Sequence, residues 1–111
     1  MEQYTVIEHD GVIFACAAMY PYPEAHCAEL AALTVSPASQ GQGDGEKVLK
    51  RIEQRCRAQG IQQIFVLTTR TMHWFLKRGF KPAEIEWLPE ARMRKYNLNR
   101  KSQVLVKQLS P

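Results

Sequence analysis

The sequence predicts a single domain of the α/β or α+β class, with a mixed central sheet and flanking helices. Its 111 residues suffice for one hydrophobic core, and a domain of this size buries roughly 60–70% of the surface that its unfolded chain exposes. Apolar, strand-like runs alternate with amphipathic helical runs, which predicts a sheet with a parallel middle. No repeat, linker or low-complexity tract divides the chain, so residues 1–111 are predicted to form one unit.

The first part of the chain is predicted to consist of strands. Alternating polarity predicts a half-buried first strand that directs Tyr4 and Val6 inward. An Asp-Gly pair, Asp10-Gly11, predicts a hairpin turn after it. Prolines at Pro21 and Pro23 are expected to end the second strand. The predicted strands cover residues 3–8, 12–19 and 27–35.

Helices and strands alternate in the second part of the chain. The longest helix presents an apolar face made of Val48, Leu49, Ile52 and Cys56. The continuous apolar run at 64–67 suits a strand that is buried on both faces. The predicted elements are helices over 45–59 and 71–78, a helical turn over 90–96, strands over 63–68 and 102–109, and an extended segment from Phe80.

A glycine-rich loop, Gln-Gly-Gln-Gly-Asp-Gly at 40–45, joins the third strand to the longest helix. Glycines let a backbone turn its amides inward, and the helix adds unpaired N–H groups and the positive end of its dipole. This order predicts a phosphate or pyrophosphate site, although a plain strand-to-helix turn is the alternative. The spacing matches neither a P-loop nor the dinucleotide fingerprint. The Asp44 carboxylate is compatible with phosphates only if it points to solvent.

Charge is distributed unevenly along the chain. Residues 1–44 contain six acidic and no basic residues, whereas residues 45–111 contain all fifteen Lys and Arg and five acidic residues. This asymmetry suggests an anionic partner such as a coenzyme, a dicarboxylic amino acid or a nucleic acid. Aromatic residues rarely interleave with the basic ones, so no nucleic-acid partner is expected, and an unevenly charged surface is the plain alternative.

The cysteines and the hydropathy exclude other classes of protein. Cys16, Cys27 and Cys56 are odd in number and lack CxxC spacing, which argues against a disulfide framework or a zinc site. The sequence shows neither a signal peptide nor a long apolar run, so a cytoplasmic protein without a membrane partner is expected.

Specific motifs resemble the GCN5-related N-acetyltransferases (GNAT). Gln40, Gly43 and Gly45 fill the positions of the family's pyrophosphate loop, [Q/R]-x-x-G-x-[G/A]. The stretch 73–80 resembles the second signature, F-Y-x-x-x-G-F, with Phe75 where many members carry a proton-donating tyrosine. Further stretches resemble the acetyltransferase domain of bacterial N-acetylglutamate synthases, in order along nearly the whole chain: 15–21, 29–31, 67–75, 87–89 and 96–102.

The resemblance implies a GNAT fold and transfer of an acetyl group from acetyl-coenzyme A to the α-amino group of L-glutamate, without a metal. Members of the branch begin with a strand and two helices that are missing here, so the chain resembles an N-terminally truncated domain. An uncovered sheet edge would then favour self-association. The implied coenzyme-binding residues are Leu33, Thr34, Val35, Gln40, Gly41, Gln42, Gly43, Asp44, Gly45 and Phe75.

Two residues are candidates for catalysis. Glu29 lies in an apolar strand, where a carboxylate is costly unless it is paired or functional. It could take a proton from a substrate ammonium group, as the resemblance implies, or be an exposed residue on an edge strand. Thr71 begins the second helix and could be an ordinary N-cap. The resemblance places it where the family carries a hydroxyl proposed to protonate the departing thiolate.

Substrate binding is assigned to Ala32, Arg70 and Arg100. The resemblance implies that backbone amides near Ala32 polarise the thioester carbonyl. Arginine presents a planar fork that suits a carboxylate, although solvated surface charges are the alternative for both arginines. Arg92 and Arg94 are predicted to be such solvated charges. The alternative functions are coenzyme binding without catalysis, and acetylation of another amine.

Overall fold

The computed structural model describes residues 3–36, 43–68, 71–94 and 103–109. They form a six-stranded sheet in the order β1-β2-β3-β4-β6-β5. Strands β3 and β4 are parallel, and every other neighbouring pair is antiparallel. The predicted mixed sheet with a parallel middle is therefore confirmed. The strands are β1 (Gln3–His9), β2 (Val12–Tyr22), β3 (Cys27–Val35), β4 (Gln63–Thr68), β5 (Lys81–Ala83) and β6 (Gln103–Gln108).

Within the described residues, three α-helices accompany the sheet: α1 (Asp44–Ala58), α2 (Met72–Leu76) and α3 (Glu90–Met93). Short 3₁₀ turns lie at Pro23–Ala25 and Ile85–Trp87. The predicted apolar face of α1 is confirmed, because Val48, Leu49, Ile52 and Cys56 are all buried. This face packs against the side of the sheet that carries Ile7, Ala17 and Met19. The helix thus covers the first three strands and begins just beyond the end of β3.

The buried side of β1 differs from the prediction. Thr5 and Ile7 are buried, whereas Tyr4 is 66% and Val6 is 39% exposed. Because side chains alternate along a strand, these two pairs of residues must point to opposite faces of the sheet. The alternation does not show which of the two faces is covered. Because α1 covers the face of Thr5 and Ile7, the prediction for Tyr4 and Val6 was wrong.

The second strand is longer than predicted. It continues through Pro21, which pairs with Ala28 of β3, and ends at Tyr22. Pairing with β1 stops at Met19, so Pro21 lies where β2 pairs with β3 alone in the described part of the sheet. A proline lacks an N–H and is tolerated in a strand with such an unpaired side. The prolines therefore do not end the strand where the sequence suggested.

A second core lies on the face of the sheet opposite to α1. It includes Cys27, Phe65 and Leu88, and the Trp87 ring meets the Phe65 ring edge-on with centroids 5.6 Å apart. Residues 85–88 are thereby anchored over β3 and β4. This anchoring carries α3 to the same side of the sheet as the site described below.

Burial raises the pKa of the Cys27 thiol to about 11 and that of Cys56 to about 12. Both thiols are therefore protonated near neutral pH, and neither is an activated nucleophile. Within the described ranges, no helix has the length and apolar character needed to cross a membrane. The same residues contain no group of three or more His, Cys, Asp or Glu that could hold a metal ion.

Candidate functional site

An open cleft separates β3 from β4 toward their carboxyl ends. The two strands pair only at Cys27–Gln63, Ala28–Ile64 and Glu29–Phe65. Beyond that point β3 continues alongside β2, and β4 continues alongside β6. The parallel strands therefore diverge as a V, with Glu29 and Phe65 at its vertex.

A β-bulge at Ala31 accompanies this divergence. Ala18 pairs with Ala32 and Met19 pairs with Leu30, so Ala31 is an extra residue in β3. A bulge bends its strand and increases the local twist. It therefore helps to turn the end of β3 away from β4. Backbone groups of β3 that face the cleft can then pair with an extended ligand, as in β-strand addition.

The amino end of α1 stands at the mouth of this cleft. Gly43 is its N-cap with φ of 79°, in the left-handed region that favours glycine. Among the described residues, no side chain caps this end. The helix begins with the Lys47 N–H donating to the Gly43 carbonyl oxygen at 3.0 Å, which leaves the N–H groups of the first turn available. Such an end binds anions readily.

Gly45 brings this helix end against the cleft. A Cβ atom at position 45 would lie 3.2 Å from both Val35 Cγ2 and Trp74 Cζ2. An added Cβ would force these neighbours to shift by a few tenths of an ångström, so glycine favours the close contact between α1, the end of β3 and α2. The candidate phosphate site and the unpaired part of β3 are consequently contiguous, which suits one elongated ligand with a phosphate end.

The indole of Trp74 also stacks beneath the Arg78 guanidinium, whose carbon is 3.9 Å from the ring centroid. Phe75 meets the Trp74 ring at 5.0 Å and the Phe80 ring at 5.1 Å between centroids. Only 3% of Phe75 is exposed. The structure therefore places Phe75 in the core, and its contact with a coenzyme stays a prediction.

A pocket of about 330 Å³ lies at the vertex and is lined by Tyr20, Tyr22, Glu29, Ala31 and Arg92. Glu29 is 8% exposed and belongs to a central strand, so the edge-strand alternative is wrong. Arg92 Nε donates a hydrogen bond to Glu29 Oε1 at 2.6 Å. Burial and, to a smaller degree, the Glu29 carboxylate raise the pKa of Tyr22 above its ordinary value.

Arg92 was predicted to be a solvated charge, and that prediction was wrong. Its side chain is 17% exposed and paired with Glu29, whereas the Arg94 side chain is 76% exposed, as predicted. The apolar Trp87-Leu88 pair just before α3 was the feature of the sequence that could have indicated a buried neighbour, since it anchors this segment over the sheet. It could not indicate which arginine turns inward.

Thr71 occupies the N-cap position of α2, but its hydroxyl does not cap the helix. The Thr71 and Thr68 hydroxyl oxygens are instead 2.8 Å apart, and the Thr71 N–H donates to Thr68 Oγ1 at 3.0 Å. Thr68 is buried at the end of β4, whereas Thr71 is exposed. Nothing in the sequence pattern indicated a role for Thr68. The pair could conduct a proton between solvent and the cleft.

The amino-acid sequence of residues 2–80 matches the Acetyltransferase (GNAT) family. This chain belongs to the GNAT family. A protein named amino-acid acetyltransferase from Ralstonia nicotianae is 58% identical over 106 residues, which cover 96% of this chain and 24% of that protein. A second with this name, from Ectopseudomonas mendocina, is 50% identical over 98% of this chain and 25% of its own length. The chain thus spans about a quarter of the curated relatives it matches.

Solved structures agree with the GNAT fold. N-acetylglutamate synthase from Neisseria gonorrhoeae, complexed with coenzyme A and N-acetyl-glutamate, superposes with a TM-score of 0.92 at 42% identity, over 97% of this chain and 26% of that one. Tetrahymena GCN5 superposes with a TM-score of 0.81 at 18% identity, over 99% of this chain and 69% of its own, and supports the fold alone. The predicted GNAT fold is confirmed.

Several predicted GNAT site residues lie outside the described part of the chain. They are Gln40, Gly41, Gln42, Arg70 and Arg100. Ala32 and Asp44 contribute described backbone to β3 and α1, but their side chains are not described. The structure brings Leu33, Thr34 and Val35 to one wall of the cleft and Gly43 and Gly45 to its mouth.

Proposed function

We propose that this chain transfers an acetyl group from acetyl-coenzyme A to the α-amino group of L-glutamate. The observation that carries the proposal is a buried Glu29 at the vertex of a cleft whose mouth is a helix amino end. Similarity to a synthase complexed with coenzyme A and N-acetyl-glutamate supports this choice of substrates.

The coenzyme site would be made of backbone groups. Amides of the loop 40–45 and the first turn of α1 bind the phosphates, and the backbone of Leu33, Thr34 and Val35 pairs with the extended arm. When bound, acetyl-coenzyme A supplies an acetyl group activated as a thioester. The amides of Ala32 and Leu33 stabilise the negative charge that develops on the carbonyl oxygen.

Glu29 would act as the general base. The acceptor arrives as an ammonium ion, and the Glu29 carboxylate takes one proton, directly or through water. The freed nitrogen lone pair forms the new N–C bond, and the nitrogen then releases its second proton to water. The C–S bond breaks, and its electrons leave with sulfur. The raised pKa values of the buried Cys27 and Cys56 thiols favour this direct attack over a covalent acyl-cysteine.

Thr71 would return a proton to the departing thiolate. Residue Thr71 is exposed, so its hydroxyl can regain a proton from solvent, and the Thr68 hydroxyl at 2.8 Å helps to hold it in place. Arg70 and Arg100 are proposed to hold the carboxylates of the acceptor, because the guanidinium fork matches a carboxylate.

The test is calorimetric titration with acetyl-coenzyme A, followed by a thiol-release assay with L-glutamate and with a panel of other amines. Release that depends on L-glutamate supports the proposal. Release with another amine only would support a different GNAT acceptor. Binding without any release would support the alternative of a coenzyme-binding module. An absence of binding would contradict the assignment of the glycine-rich loop.

We also propose that the chain self-associates through the exposed side of β1 and β2. Tyr4, Val6 and Ile13 are exposed there. Two arginines of α1 already donate hydrogen bonds to carbonyl oxygens of β1. Arg55 Nη1 donates to the Tyr4 carbonyl oxygen at 2.7 Å, and Arg51 Nη1 donates to that of Val6 at 3.2 Å. The apolar side chains are therefore the better candidates for a contact than the strand edge. Light scattering should show a dimer or larger species that Ile13→Lys weakens, and a monomeric unaltered chain would contradict the proposal.

A further inference from the structure

The ion pair between Glu29 and Arg92 joins residues far apart in the sequence. Arg92 lies 63 positions after Glu29, and its Nε reaches Glu29 Oε1 at 2.6 Å. Both side chains are largely shielded from solvent. A charge-assisted hydrogen bond of this length restricts the rotation of the carboxylate. One oxygen of Glu29 is thus occupied by Arg92, and the carboxylate orientation depends on where Arg92 is held.

The backbone around Arg92 is held firmly. Leu88 is buried in the core around Phe65, and the Pro89 carbonyl oxygen accepts the N–H groups of Arg92 and Met93, both at 2.9 Å. Pro89 itself has restricted backbone freedom. Arg92 therefore projects from a short helix whose start is anchored to the sheet that carries Glu29.

The charge of Arg92 also matters for a carboxylate-bearing acceptor. Glu29 lines the same pocket of about 330 Å³ as Arg92. An unpaired Glu29 carboxylate would repel the carboxylates of an incoming amino acid, and this repulsion is stronger in a partly buried site than in water. The adjacent guanidinium offsets that charge, so the pocket can hold both a base and an anionic acceptor.

We infer that Arg92 is the positioning residue of this site: it orients the Glu29 carboxylate toward the acceptor and neutralises its charge. This inference rests on the proposed acetyl transfer and adds a residue to it. The role is indirect, because Arg92 acts on the reaction through Glu29.

The experiment compares thiol release by the unaltered chain, Arg92→Gln, Arg92→Lys and Arg94→Gln. Arg94 is the matched control, since it lies directly after the same short helix in an exposed ion pair with Glu90. Arg92→Gln is expected to lower kcat about 100-fold, the size expected for a misplaced catalytic group, and to raise KM for L-glutamate. Arg92→Lys keeps the charge but not the planar fork, so kcat should fall about tenfold with little change in KM. Arg94→Gln should stay within about twofold in both parameters, as expected for a solvated pair.

A double-variant cycle tests whether Arg92 works through Glu29. In a Glu29→Gln background, adding Arg92→Gln should slow kcat by less than about twofold, because the carboxylate that it orients is gone. Equal slowing in both backgrounds would overturn the inference, as would full activity of Arg92→Lys and Arg92→Gln. Titration with acetyl-coenzyme A verifies that each variant is folded. If Arg92→Gln does not fold, Arg92→Lys takes its place in the cycle.

The two proposals fail in distinguishable ways. If the unaltered chain releases no thiol with L-glutamate, the proposed function is overturned, and the role of Arg92 with it. If the unaltered chain is active and Arg92→Gln matches Arg94→Gln, only the role of Arg92 is overturned.

Discussion

The two ends of the β3–β4 cleft are built from different chemical groups. At the mouth, the groups that can meet a ligand are backbone N–H groups of α1 and β3, and glycines at 43 and 45 give access to them. At the vertex, they are buried side chains, of which Glu29 and Arg92 come from distant parts of the chain. In the proposed function, the mouth binds the phosphates of the coenzyme and the vertex binds the acceptor.

We therefore expect that affinity for the coenzyme and catalysis can be altered separately. A change at the vertex should alter turnover and leave coenzyme affinity unchanged, because no backbone donor is lost. A change at the mouth should alter affinity first. The following predictions test that separation.

The largest effect is expected for Glu29→Gln. An amide cannot accept the proton of the acceptor, so kcat should fall by about 10²–10⁴-fold, the usual contribution of a general base. Calorimetry should find unchanged affinity for acetyl-coenzyme A. Glu53→Gln is the control, because Glu53 is also buried and its Oε2 is 2.7 Å from Lys107 Nζ, but it lies on α1 outside the cleft lining. Full activity of Glu29→Gln would remove Glu29 from the mechanism.

A smaller loss of turnover is expected for Thr71→Val. Valine keeps the shape of the side chain but lacks the hydroxyl that would protonate the thiolate. A thiol of ordinary pKa is a good leaving group, so the expected fall in kcat is about tenfold, below the usual range for acid catalysis. Thr71→Ser should keep nearly full activity. If steady-state kinetics show that valine and serine behave alike, the hydroxyl has no catalytic role.

The smallest effect is expected from Gly43→Ala, measured against Gly60→Ala. The two glycines flank α1 with φ of 79° and 77°, and neither has a neighbouring atom within 4 Å of an added Cβ. Each alanine should cost about 1 kcal/mol in the free energy of unfolding, from left-handed backbone strain. Only Gly43→Ala should also weaken acetyl-coenzyme A binding, by a few-fold, because it disturbs the helix amino end. Equal coenzyme affinity in both variants would argue against a phosphate site there.

Elements with a strong local signal were well predicted. The strand at Gln63–Thr68 and the apolar face of α1 follow from periodicity, and both are confirmed. The strand-loop-helix order around Gly43 and Gly45 also follows from local chemistry, because glycine spacing and helix propensity are properties of neighbouring residues. The roles of residues that depend on partners distant in the sequence were harder to predict. Arg92 and Arg94 have the same charge in the same segment, and only one turns toward Glu29.

The sequence by itself therefore determined the alternation of strands and helices, the glycine-rich connection, and the presence of an acidic residue in an apolar strand. Only the tertiary structure decided which side of β1 is buried, because that depends on where α1 docks. It also decided that β3 and β4 part after Glu29 and Phe65, and that Arg92 covers Glu29. Local patterns record the preferences of neighbouring residues, whereas a cleft and an ion pair depend on how separate elements are packed together.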